Sequence, residues 1–233
     1  MGMSSTQAKL PFPSNFRWYN VDGMILPSVT SILHEFTEET ESLKKWKKSN
    51  TDWKEIMDFK AHVGTLVHNR IGNFFIDRYS LQDTPQKVEF EITDRMDIET
   101  EACLSYFNDF ITKFKVEPHG IEIRSWHRKY KYAGTCDFVG LVNGVESLID
   151  WKTSFSIYDS HKYQVVAYKR SLLSDKEFKY PIKRCIVVLV NARNGLKVGE
   201  IANEDKAWTG FMEPFNKFQM QYREPFERVE IGD

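Results

Sequence analysis

From Val29 to Phe114 the apolar residues recur every three or four positions, the spacing of helices with one buried face. The run VTSILHEF follows Pro27-Ser28, with Ser28 placed as its N-cap, and Glu41 to Lys48 predicts a second short helix. A long helix is expected over Trp53 to Tyr79, its buried side formed by Val63, Leu66, Val67, Ile71, Phe74 and Phe75. Arg95 to Phe114 repeats the pattern with Ile98, Cys103, Leu104, Phe107, Phe110 and Ile111. From Gly120 the period drops to two. Strands rich in β-branched and aromatic residues are predicted at Ile121 to Arg128, Tyr132 to Leu141, Val145 to Lys152 and Lys183 to Asn191. A helix over Ser156 to Leu173 interrupts them, and another over Asn203 to Tyr222 closes the chain. Ahead of the first helix, LPFPSNF reads as an irregular lead and Phe16 to Asp22 as a short strand and turn.

Helices, three strands, a helix, a strand, a short strand and a final helix predict an α/β fold. The expected form is a small mixed central sheet flanked by helices, with a crossover between the third and fourth strands and an N-terminal helical lobe. At 233 residues the chain suits one core. A single domain over 1–233 is expected, with a mainly helical part (28–116), a sheet core (117–201) and a C-terminal helix (203–228).

Composition narrows the function classes. Apolar residues make up 41% and charged residues 28%, values of a soluble globular protein. Lys+Arg 32 against Asp+Glu 33 leaves a net charge of -1, so any grip on nucleic acid must come from local patches. The densest patch is Lys44, Lys45, Lys47 and Lys48 around Trp46; Arg128, Lys129 and Lys131 form a second. Cys103, Cys136 and Cys185 are odd in number and far apart, against a disulfide framework or a metal-sulfur cluster and for a reducing, cytoplasmic setting. No run approaches the ~18 apolar residues of a membrane span, so no membrane partner is expected. The start MGMSST matches an acylation pattern only formally. No phosphate-binding loop is present, so no ATP is expected.

The chemistry concentrates between Asp137 and Lys152. In SLIDWKTS, alternation points Asp150 and Lys152 to one side and Trp151 to the other. The Gly144 region carries turn chemistry, and a hairpin there brings Asp137 of YAGTCDFVGLV near Asp150. Two converging carboxylates repel unless a cation lies between them, and hard oxygen donors suit one or two Mg2+ or Mn2+ ions. A salt bridge of Lys152 with one acid is the structural alternative. Glu122, flanked by Ile121 and Ile123 expected on the opposite side, is a candidate third carboxylate; Glu146, at the far end of its strand, ranks below it. In GTLVHNRIG, Gly64, His68 and Gly72 share one helical stripe, so an imidazole stands where another element can approach closely. His62 and His161 lack such company. Thr153 and Ser154 are candidate caps or phosphate-contacting hydroxyls. Gln164 and Tyr168 lie one turn apart with Lys169 and Arg170 beside them, the pattern of an amphipathic helix or of a phosphate-facing one. Lys45 and Lys48 beside Trp46 suit single-stranded nucleic acid, where bases stack and phosphates need cations.

In order, GTLVH, Glu122, Asp137, Asp150-Trp151-Lys152 and Gln164 to Tyr168 resemble the GxxxH, E, D, DxK and QxxxY series of RecB-type nucleases in the PD-(D/E)xK superfamily. LPSVTSIL, YAGTCDFVG, LIDWKTS, QVVAYK and CIVVLVNA look most like its stand-alone branch, that of the mitochondrial genome maintenance exonuclease and phage and bacterial relatives. The resemblance runs from Pro27 to Ala192. It implies a PD-(D/E)xK core, a metal-dependent DNA exonuclease preferring single-stranded ends, and a role in DNA replication, recombination or repair beside the proteins of those processes. It further implies His68, Asp137, Asp150 and the Trp151 backbone carbonyl as metal ligands, with Lys152 positioning the attacking water. Gln164 and Tyr168 would lie near the scissile phosphate. Some relatives hold an iron-sulfur cluster with four cysteines; three scattered ones exclude that branch. A flap endonuclease and a non-catalytic DNA-end-binding subunit remain open alternatives.

Overall fold

The computed structural model describes residues 16–81, 88 and 90–222. The MGMSST start, most of the irregular lead and the last positions of the expected C-terminal helix, 223–228, lie outside the described residues. The chain opens with a hairpin of β1 (Trp18–Val21) and β2 (Met24–Pro27), turned by Asp22 and Gly23 in the left-handed backbone region that two-residue hairpins use. Four helices follow: α1 (Val29–Phe36), α2 (Glu41–Ser49), α3 (Trp53–Tyr79) and α4 (Asp94–Lys113). Ser28 caps α1, its hydroxyl accepting from the Ser31 N–H at 2.9 Å. Then come β3 (Val116–Trp126), β4 (Ala133–Val142), β5 (Val145–Lys152), α5 (Asp159–Leu173), β6 (Arg184–Asn191), β7 (Gly195–Glu200) and α6 (Glu204–Gln221).

The sheet order is β3-β4-β5-β6-β7, antiparallel except for the β5–β6 pair that α5 connects. This is the mixed sheet, and the crossover, that the periodicity predicts. The β4–β5 turn places Asn143 and Gly144 at φ 50° and 75°, so the glycine serves a left-handed position that costs other residues energy. The extra strand β2 escapes sequence reading because MILP is four residues long and ends on the proline that introduces α1.

Alternation along the strands feeds two apolar layers. Leu148 and Val187 pack with Ile32 of α1, Val166 of α5 and Phe211 and Phe215 of α6. Their neighbours Ile149 and Val188 pack on the other side with Val67 and Ile71 of α3 and Phe107 of α4. Trp151 anchors this second layer, its indole edge-on to Phe107 and Phe110 at centroid distances of 5.4 and 5.2 Å. Each such buried side chain contributes about 1.5–3 kcal/mol, so β5 is held rigidly behind its polar residues. Two expectations shift: Ile98 of α4 is 72% exposed, and Phe74, Leu104 and Ile111 sit at the margin of the layer. Helix α2 buries none of its residues.

One irregularity sets the location of the chemistry. β4 pairs with β5 only from Phe138↔Ile149 to Val142↔Val145. Beyond that point β4 stays with β3 and β5 stays with β6, so the two central strands part at Asp137 and Asp150.

Candidate metal centre where the central strands part

Where the ladder stops, side chains replace it. Asp137 Oδ2 accepts the Trp151 N–H at 2.7 Å, closing the gap that the lost backbone pairing leaves. Its Oδ1 lies 3.4 Å from His68 Nδ1. Across β3, the pairs Ile121↔Phe138 and Ile123↔Cys136 set Glu122 opposite Asp137. Glu122 holds φ 47°, a left-handed conformation within a strand that costs on the order of 1–3 kcal/mol. The roll is visible in its neighbours. Ile121 packs in the α3–α4 layer and Ile123 against the α1–α5–α6 layer, whereas simple alternation expects both on one side. Cys136 and Phe138 divide the same way. The double roll brings Glu122, Asp137 and His68 together, with one ligand atom of each within 4.8 Å of the others.

Helix α3 reaches this point because two glycines flank His68 by one turn. A Cβ on Gly64 would stand 3.4 Å from Thr153 Oγ1, and one on Gly72 would stand 3.9 Å from Ile121 Cδ1. The helix therefore lies directly against the end of β5 and the middle of β3, with its imidazole between them.

Asp150 is only 1% exposed. Lys152 Nζ meets its Oδ2 at 2.7 Å. Apart from that ammonium, no donor among the described residues reaches either oxygen. Burial raises the Asp150 carboxyl to about 6, the Lys152 ammonium pulling against that and Asp137 adding to it. For Asp137, burial also opposes the charge, but His68, Lys152 and the Trp151 N–H together hold the carboxyl below its ordinary value. Burial works against a charged His68, yet Asp137 raises the imidazole above its ordinary value. Two buried acids are thus each matched by one protein cation, with the Asp150 oxygens left without a donor other than Lys152 among the described residues.

Those leftover oxygens and the donor set form the test for a metal. His68, Glu122 and Asp137 offer two hard oxygens and one imidazole nitrogen, a donor set that suits a divalent cation. Asp150 is not in that converging group; it adjoins it, turned to Lys152. Trp151, whose carbonyl the family pattern adds, gives its N–H to Asp137 and buries its indole.

The loop after β5 is pinned from β6. Asn191 Nδ2 donates to the Thr153 carbonyl and Asn194 Nδ2 to that of Phe155, both at 2.7 Å, while the Ser154 hydroxyl donates to the Ser156 carbonyl at 3.0 Å. Sequence reading passes over both asparagines, although two amides at the end of an apolar strand signal a built loop. Gln164 Nε2 donates to Tyr168 Oη at 2.9 Å, and Tyr168 itself is buried. Lys169 and Arg170 form ion pairs at 2.8 Å with Glu204 and Asp205, tying α5 to α6. Lys45 and Lys48 are exposed on α2, where Lys44 and Lys47 pair with Glu41 and Glu39. Glu146 is held by His119 at 3.1 Å, away from the centre. His161 stands within reach of the Lys152 charge, which together with burial lowers its pKa to about 3. Nothing in the local sequence marks it.

No family model matches the sequence, and no significant relative is found among curated proteins. Among solved structures, an alkaline exonuclease (LHK-Exo) from Laribacter hongkongensis is similar at 15% identity over 57% of this chain and 71% of that one, with a TM-score of 0.38. A protein described as SSO0001 is similar at 17% identity over 67% and 75%, with a TM-score of 0.32. At that level of superposition the likeness carries no argument, and function has to be read from the side chains.

Proposed function

We propose that this chain is a metal-dependent DNA nuclease of the RecB type in the PD-(D/E)xK superfamily, acting without ATP as a single-strand exonuclease. The observation that supports it most is the meeting of His68, Glu122 and Asp137 beside a buried Asp150 whose oxygens meet no donor among the described residues other than the Lys152 ammonium. His68, Glu122 and Asp137 would hold the ion, with Asp150 at its margin. When bound, a divalent cation at such a centre makes a water more acidic and neutralises charge on the scissile phosphate.

The chain's own groups supply the rest. The Lys152 ammonium, fixed on Asp150, is a compact cation beside the phosphate's developing charge and can orient the attacking water. Gln164, steadied by Tyr168, offers an amide to the phosphate oxygens. Thr153 and Ser154, directly after Lys152, would lend hydroxyls to the phosphate, and the exposed Lys45 and Lys48 would attract the strand at longer range. Lys169 and Arg170, engaged with α6, would position α5 rather than hold DNA.

End-labelled single-stranded DNA incubated with Mg2+ or Mn2+ should shorten progressively, and EDTA should stop it. A circular single strand should survive, because an exonuclease has no end to start from; its cleavage would favour the endonuclease alternative. Asp150→Asn and Lys152→Ala should each lower cleavage by at least about 100-fold with the fold intact. Either variant cutting at the wild-type rate would refute the assignment. Binding of DNA ends without any metal-dependent cleavage would replace it with a non-catalytic role.

A further inference from the structure

Beyond Glu122, the edge strand β3 borders a second surface that the centre does not use. The β1 strand and its turn face β3 and the start of β4 across a groove of about 550 Å³, whose lining includes Arg17, Trp18, Tyr19, Asp22, Arg124 and Trp126. Each wall repeats the same order: a guanidinium, then an aromatic ring. Arg17 and Arg124 are exposed, and neither forms a salt bridge among the described residues. Arg17 lies 5.2 Å over the Tyr19 ring. Trp18 is 38% exposed, an indole offered to solvent where a soluble protein ordinarily covers one. Trp126 extends the basic side, with Arg128 at 4.3 Å and Lys131 at 4.9 Å over its ring. Of these cations Arg128 is already paired with Asp175; the groove's own carboxylate is Asp22, at the hairpin turn.

The groove and the centre share two strands. Arg124 is two residues from Glu122 on one strand, about 7 Å along it. Tyr19 is joined by a 3.0 Å hydrogen bond to Thr135, two residues before Asp137.

We propose that this groove is a docking track for single-stranded nucleic acid, in which a base stacks on Trp18 and the flanking phosphates meet Arg17 and Arg124. Its continuation into the centre rests on the nuclease reading; binding in the groove does not. The chemistry selects this occupant. Guanidinium groups with no carboxylate partner among the described residues select phosphates, and an exposed indole lining the same groove selects an unpaired base, which a duplex does not present. An acidic peptide would satisfy the arginines and leave Trp18 unused.

The test is fluorescence anisotropy of a labelled oligothymidylate of about 20 nucleotides in EDTA, where cleavage does not interfere. The double variant Arg17→Gln/Arg124→Gln should bind about tenfold or more weakly, and its plot of log affinity against log salt should flatten by about 1.4, two phosphate contacts at ~0.7 each. Trp18→Ala should weaken the oligothymidylate by about tenfold and leave an abasic strand of the same charge unaffected, while Trp18→Phe restores binding. Melting curves on the same samples report whether each variant is folded, and exposed positions make all of them tolerable. Wild-type affinity and slope in the double variant would overturn the proposal. So would equal losses of abasic and normal strands in Trp18→Ala, or competition by polyglutamate as strong as by DNA. Cleavage measured separately with Mg2+ keeps the two readings apart: a protein that binds through these residues but never cuts refutes the nuclease, and one that cuts while its groove variants bind normally refutes only the track.

Discussion

Replacing Asp150 by Asn should make the metal-free protein more stable while removing its response to metal. Raising this carboxyl from its ordinary 3.8 to about 6 amounts to about 3 kcal/mol of folding free energy withheld once the group is ionised. Asparagine keeps the shape and drops the buried charge. The attraction of the Lys152 ammonium is already contained in that net shift, so its loss needs no separate subtraction. The net gain is therefore about 3 kcal/mol, or roughly 6–12 °C in melting temperature for a chain of this length. The sign follows from the direction of the shift. A raised carboxyl penalises the folded state only where it is ionised, so wild type and variant should differ little below about pH 4, diverge between pH 4 and 6, and stay apart above. Thermal melts in EDTA across that range, repeated with Mg2+ or Mn2+, provide the assay. At one thousand times its dissociation constant an ion adds about 4 kcal/mol to a protein that binds it, which should let the wild type overtake the variant. A variant less stable than wild type in EDTA at pH 7.5, or one that gains equally from metal, would refute the view that Asp150 is kept charged for a cation.

Three further outcomes follow from other parts of the structure. The His127 ring accepts the Lys129 and Tyr130 N–H groups through Nδ1, and burial with Arg170 and Lys129 nearby lowers its pKa to about 4. The unfolded chain then takes up a proton first, so His127→Asn should abolish a loss of roughly 1–2 kcal/mol, discounted for solvent screening, that the wild type shows as pH falls from 6.5 towards 4 in urea titrations; an unchanged pH dependence would contradict it. A Cβ on Gly134 would come 2.2 Å from Tyr168 Cε1, so Gly134→Ala should cost about 2–3 kcal/mol, lower cleavage by displacing Gln164, and be partly relieved by adding Tyr168→Leu; additive melting shifts would exclude that coupling. Asn191→Ala removes the donor to the Thr153 carbonyl and the acceptor for the Arg193 and Asn194 N–H groups, so it should cost about 2–3 kcal/mol and open residues 153–158 to limited proteolysis; protection equal to wild type would show the loop is held by something else.

What the sequence discloses and what it hides divide along physical lines. The mixed sheet, the helices and the approach of Asp137 to Asp150 are legible because they rest on short-range periodicity and on one hairpin register. Lys152 beside Asp150 follows from alternation alone. Pairing over long separations is not legible: Lys169 and Arg170 read as free cations until α6 supplies Glu204 and Asp205, which belong to a helix packed alongside only in three dimensions. The least legible feature is the most consequential. Strict alternation at Glu122 would place Ile121 and Ile123 in the same layer, but the left-handed backbone there sends them to opposite ones and turns Glu122 toward His68 and Asp137. A strand that stores such strain where three ligand atoms converge gives up stability to aim one carboxylate. The parting of β4 from β5 at the same level leaves Asp150 buried, with the Lys152 ammonium as its sole donor among the described residues. Both departures from regular sheet geometry cost folding energy, and both act on the same few ångströms. Their coincidence argues that the local fold is shaped around a charge that the protein itself does not supply.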